Sequence, residues 1–285
     1  MKKINNVILI SLVMLICISA KKLKENQDPF IVKEVEKEVV KLNDKVYISK
    51  FEVSNKQYMA FINDLTRKGE QATLKIARID TMGWIARNSY NDPYVSLYHK
   101  HPSYRDYPVV NISYQGAVLF CKWLTEQYNS IPNKKFNKVK FRLPTEKEWE
   151  TAARGSSDTT INFAFSLFSK KGPTANYVYI SQESICVNTS NSNYFDNVKI
   201  ISNDYVCKKG QLSFNADVTA PVKAYYPNGY GIYNTHGNVE EMIEGGTKTK
   251  GGSWHDTGYN LQINISKPNN APNDMTGFRF VMEIE

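Results

Sequence analysis

Phe141-Arg142-Leu143-Pro144-Thr145-Glu146-Lys147-Glu148-Trp149-Glu150-Thr151-Ala152-Ala153-Arg154-Gly155 is the stretch on which the reading of the fold turns. Thr145 followed by Glu148 is a capping box, the reciprocal pairing that opens a helix. Trp149, Ala152 and Ala153 then fall on one helical face, and Gly155 is the residue type that ends a helix in the left-handed region. Just upstream, Val139–Leu143 alternates as a short strand, and Arg142 lies within reach of the glutamates at 146 to 150. The stretch therefore reads as strand, tight turn and short amphipathic helix.

Working outward, Ser54 and Gln57 form a second capping box and place Tyr58, Phe61, Ile62 and Leu65 on one face. A helix following Ser113 carries Ala117, Phe120, Cys121 and Leu124 inward, with Trp123 beside them. Strands are expected at Lys45–Val53, Val109–Ile112, Val139–Leu143, Ala220–Ala224, Lys248–Trp254 and Gly277–Glu283, the last two as neighbours. Turn formers such as Tyr226-Pro227-Asn228-Gly229 and Lys267-Pro268-Asn269-Asn270 separate them. No repeat and no Gly/Ser-rich linker divides residues 45–285. Short elements in so long a stretch imply an α+β domain held together by irregular, aromatic-rich loops, consistent with its eighteen tyrosines and thirteen phenylalanines.

The N-terminus points to export. Lys2 and Lys3 precede an apolar run from Val7 to Ala20 that would span roughly 21 Å as a helix, short of the ~30 Å hydrocarbon core. Residues 1–20 thus read as a secretory signal. Two processing routes stand: acylation of Cys17, which would anchor the chain to a membrane, or cleavage after Ala20. Residues 21–44 alternate in charge and read as a tether, with a short helix around Val35–Leu42 as the other reading. The net charge of +8 is spread over lysines scattered among acids, with no basic and aromatic stripe, so nucleic acid is not an expected partner. In an oxidising compartment Cys186 and Cys207 are disulfide candidates, and Cys121 reads as a buried thiol. No CxxC and no cysteine-histidine cluster is present, which argues against zinc.

Set beside the opening stretch, further segments carry a family resemblance. They are Phe51-Glu52-Val53-Ser54-Asn55-Lys56-Gln57-Tyr58, Pro108-Val109-Val110-Asn111-Ile112-Ser113-Tyr114, Tyr230-Gly231-Ile232-Tyr233-Asn234-Thr235-His236-Gly237-Asn238-Val239-Glu240-Glu241, Gly251-Gly252-Ser253-Trp254 and Gly277-Phe278-Arg279. In this order they resemble the formylglycine-generating enzyme, or sulfatase-modifying factor, family across residues 45–285. The resemblance implies that family's C-type-lectin-like α+β fold. Physically, Trp149 reads as a core anchor and Arg279 as a buried guanidinium bonded to loop carbonyls.

Active members of the family bind copper through a cysteine pair just after the glycine-serine-aromatic motif, since soft thiolates select Cu(I). The matching positions here are Asp256 and Leu261, and copper is therefore not expected. The resemblance also implies a structural calcium held by Asn234, Gly237, Val239 and Glu241; a metal-free tight turn is the other reading. A second calcium loop would fall near Asn193 and Asp217, where the pattern departs. Asp256 reads as a turn residue, and His236, His99 and His101 as loop residues.

The resulting expectation is a non-catalytic binding or scaffold component of the cell envelope, similar to gliding-motility and secretion-associated members of the family. Its groove, around Trp254, His255, Asp256 and Tyr259, would hold an envelope protein or a glycan. The alternative is an oxidoreductase with a changed metal site near His255 and Asp256.

Overall fold

Six α-helices are described, and the three longest start at side-chain caps. In chain order they are α1 (Val35–Glu38), α2 (Asn55–Lys68), α3 (Gln71–Ala77), α4 (Asp92–Leu97), α5 (Tyr114–Asn129) and α6 (Glu146–Arg154). Ser54 and Gln57 close the expected box on α2, and Thr145 and Glu148 do so on α6. The computed structural model describes residues 30–85, 91–156, 163, 168–169, 172–173, 175–180, 186–187, 198–199, 212–214 and 218–285. The chain divides into Met1–Ile31 and Val32–Glu285, and every element named here belongs to the second unit. Cys17, Asn193, Cys207, Asp217 and the side chain of Cys186 lie outside the described residues. Among those described, no helix is long and apolar enough to cross a membrane.

Two four-stranded sheets carry the domain, which is α+β as expected. The first comprises β1 (Val39–Lys41), β2 (Val46–Ser49), β3 (Val139–Arg142) and β8 (Val281–Ile284) in the order β1-β2-β8-β3, all antiparallel. The second contains β4 (Glu240–Met242), β5 (Lys248–Lys250), β6 (Ser266–Pro268) and β7 (Thr276–Gly277) in the order β6-β5-β4-β7, with β4 and β7 parallel. Short two-stranded ladders lie within 168–214.

Aromatic packing joins helices to sheets. Tyr58 and Phe61 of α2 meet Phe120 and Trp123 of α5 with ring centroids 5.5 to 5.9 Å apart, and Phe278 closes the cluster. These rings are buried, and burying each contributes on the order of 2–3 kcal/mol. Trp149 and the fully buried Lys250 tie α6 to β5, because Lys250 Nζ reaches Glu150 at 2.8 Å. The outer edge of β3 is sealed by α5. Asn129 pairs with both the N–H and the C=O of Val139, and the Thr125 hydroxyl accepts from the Phe141 N–H.

Several expectations need correction. Folded structure is present from Val32, inside the segment read as tether: Val35 buries completely and β1 pairs with β2. Val109–Ile112 and Ala220–Ala224 are not ladder strands: the N–H groups of Val109, Asn111 and Val222 go to Val53, Asn273 and Asp106 in turn, so no single partner strand runs beside either segment. Lys248–Trp254 and Gly277–Glu283 are not neighbouring strands. The latter leaves the second sheet at β7, crosses through the buried Phe278-Arg279-Phe280, and joins the first sheet as β8.

Candidate functional site

The crossing residue Arg279 organises the interior. Its guanidinium forks onto Glu241, with Nε to Oε2 at 2.6 Å and Nη2 to Oε1 at 2.5 Å, and it also donates to the carbonyls of Ser49, Lys50 and Tyr233. Trp149 Nε1 donates to Glu241 Oε2 at 2.7 Å. A second carboxylate, Glu52, is buried nearby and accepts from Asn234 Nδ2 at 2.9 Å and Asn238 Nδ2 at 2.8 Å. Burial pushes the Glu52 carboxyl up to about 8, with Arg279 opposing and Glu241 reinforcing the shift. The expected loop carbonyls for Arg279 are present; the carboxylate partner is additional.

The 234–238 loop that holds these amides passes through left-handed backbone at Asn234, Gly237 and Asn238. Any side chain at Gly237 would run into the Asn176 carbonyl, which an added Cβ would meet at 2.3 Å. His236 is buried, with Nδ1 2.8 Å from the Leu261 carbonyl, and burial pulls it down to about 4 despite that bond. His99, also read as a loop residue, is likewise drawn into the interior. It is buried, its Nδ1 lies 2.8 Å from Asn55 Oδ1, and burial lowers it to about 3.

At 253–261 the chain makes a compact turn. Asp256 Oδ2 accepts from the Ser253 N–H at 2.9 Å and the Ser253 hydroxyl at 2.6 Å, and Oδ1 accepts from Asn260 Nδ2 at 2.9 Å. Lys267 Nζ, from β6, sits 2.9 and 3.0 Å from the two Asp256 oxygens and 2.8 Å from Glu240 Oε2. Thr276 Oγ1 donates to Glu240 Oε1 at 2.8 Å. Leu261 is fully buried against Ala175 and Tyr177. Gly252 lies so close beneath it that a Cβ there would stand 2.7 Å from Leu261 Cδ1.

Of the expected groove residues, Trp254 is turned inward. It packs with Trp84, Tyr98, Val110, Val218 and Val239, and its indole N–H donates to the Asp274 carbonyl at 3.1 Å. His255 is exposed, its ring edge-on to Trp254, while Asp256 and Tyr259 are half-buried. The structure thus brings Asp256 together with Lys267 and Glu240, two residues that the sequence did not single out. No local signal marks them, since β4 and β6 meet them only through the sheet.

The profile of the sulfatase-modifying factor enzyme 1-like domain matches residues 18–284. The chain belongs to that family. Among characterised relatives, the formylglycine-generating enzyme of Bos taurus is 27% identical over 218 residues, 70% of this chain and 48% of that protein. The Thermomonospora curvata enzyme is 30% identical over 136 residues, covering 48% of this chain and 32% of its own. The matches therefore span about half or less of these relatives. Among solved structures, Treponema denticola variable protein 1 aligns with a TM-score of 0.49 at 18% identity, covering 84% of each chain.

The family implies copper and calcium; the residues present do not fit copper, and the carboxylate of the calcium set is already engaged by a guanidinium. At the thiol positions this family member has a carboxylate engaged by an ammonium and an aliphatic side chain in the core. Neither is a soft donor for Cu(I). The described thiol, Cys121, is buried and pushed well up by that burial. For calcium, both oxygens of Glu241 face Arg279 and Trp149, so this carboxylate is not free to take a cation. A cation there would have to displace a buried guanidinium.

Proposed function

We propose that this chain is a non-catalytic binding or scaffold member of the sulfatase-modifying-factor family, working at the cell envelope. The observation that carries the reading is the fate of the two thiol positions. Asp256 is held by Ser253, Asn260 and Lys267, and Leu261 is sealed in the apolar interior. With no thiolate at either position, the formylglycine reaction of the relatives lacks its metal ligands. What survives is the scaffold and its irregular surface loops, to which an envelope protein segment or a glycan would bind unchanged. Export by the 1–20 segment, with or without an acyl chain on Cys17, would place the domain at that surface.

The deciding experiment loads the purified chain with copper, adds a cysteine-containing sulfatase-motif peptide under oxygen, and follows the peptide by mass spectrometry. An unchanged peptide is expected. Formylglycine accumulating in proportion to protein would overturn the reading and establish the altered-metal oxidoreductase instead.

A further inference from the structure

We propose that Lys267 and Asp256 become joined through a side-chain amide, an isopeptide bond that the chain forms itself with Glu240 as proton carrier. The inference goes beyond the binding role above and stands independently of it.

Three separate parts of the fold converge here: Lys267 on β6, Glu240 on β4, and Asp256 on the 253–260 turn. Nζ lies 2.9 and 3.0 Å from the Asp256 oxygens and 2.8 Å from Glu240 Oε2. Both acids are locked by their own donors, Asp256 by Ser253 and Asn260, Glu240 by Thr276. Holding amine and carboxyl together makes a bimolecular condensation a unimolecular step. Two donors from Ser253, the N–H and the hydroxyl, converge on Asp256 Oδ2, where negative charge would gather during attack. Side-chain exposure is 3% for Glu240, 11% for Asp256 and 26% for Lys267, so the carboxyls are shielded while a path remains for water to leave. Converting two ions to one neutral amide also removes a charge pair that burial disfavours.

The step balances. Glu240 takes a proton from the ammonium and passes it to Asp256 Oδ1, and the freed Nζ lone pair then bonds to Cγ of the neutral carboxyl. Charge collects on Oδ2 as the tetrahedral species forms. The Cγ–Oδ1 bond then breaks, and Oδ1 departs as water carrying two protons that began on Nζ, one of them relayed through Glu240. Ammonium plus carboxylate gives amide plus water, Glu240 ends as it began, and nothing is oxidised or reduced. Burial works to lower the proton affinity of Lys267, but the two carboxylates outweigh it and raise it. The amine is therefore released only within the triad, and the bond forms slowly, as a maturation.

The test is peptide mass spectrometry on the full chain after prolonged incubation. Trypsin spares Lys267 because Pro268 follows it, so Asp256 and Lys267 fall in one peptide between Lys250 and Arg279. The peptide is expected to be lighter by one water, with no fragment ions from cleavage between Asp256 and Lys267. Lys267→Arg and Asp256→Ala should restore the full mass, and Glu240→Gln should slow the loss at least tenfold while far-UV circular dichroism stays native. A full-mass wild-type peptide overturns the proposal. So does a water loss that persists in Lys267→Arg, which would instead mark cyclisation of Asp256 onto its own backbone.

Discussion

At the scale of single residues, Arg279 shows what an irregular fold demands. Long connections leave carbonyls without ladder partners, and one guanidinium satisfies those of Ser49, Lys50 and Tyr233 while neutralising Glu241. That arginine would be buried and would serve carbonyls was legible from its place beside Phe278. Its partner lies 38 residues upstream and was not, because nothing local links the two. The same limit hid Lys267 and Glu240, and it hid the burial of His99, whose neighbours Lys100 and Pro102 read as surface. Because the guanidinium already fills the place beside Glu241, the melting temperature is expected to be the same in millimolar calcium and in chelator. A rise of several degrees on adding calcium would show that Glu241 releases Arg279 for a metal.

Elements that announce themselves locally were legible to the residue. The box of Thr145 and Glu148 fixes the start of α6, and Glu148 also grips Arg142 of β3 through two bonds of 2.8 Å. Thr145→Ala is expected to cost about 0.5–2 kcal/mol, read as a lower urea midpoint with an unchanged slope. No change would mean that Trp149 and Lys250 hold α6 without its cap. By contrast, β4, β6 and β7 are two or three residues long and pair across the second sheet, so they carry too little periodicity to be read. Trp254 was misjudged for a related reason: an aromatic after a glycine pair suits a groove and a core equally, and the sheet decides.

For the whole molecule, buried ionisable groups set the response to pH. His99 and His236 are held neutral, with values near 3 and 4, so in acid the unfolded chain binds protons the native state refuses. On their own they make stability rise with pH through about 6.5, where the unfolded histidines are half titrated. Glu52 acts oppositely: near 8 when folded, it retains a proton that the unfolded chain gives up at about 4.3. Its contribution is complete below that lower value and is lost as pH rises toward 8. The histidines dominate the acid side, leaving a maximum near 6.5 and then a decline of at most about 1.4 kcal/mol per pH unit. Glu52→Gln should flatten that decline between pH 6.5 and 8 in urea titrations; an unaltered slope would assign it to another group.

The shut flank of the first sheet bears on how copies of the chain can accumulate. Strand-by-strand stacking into a fibre needs two open sides on every subunit, one to receive and one to offer. With Asn129 and Thr125 occupying the far side of β3, this sheet has at most one. Along this sheet two copies can meet edge to edge only once, and a series built through it stops at a pair.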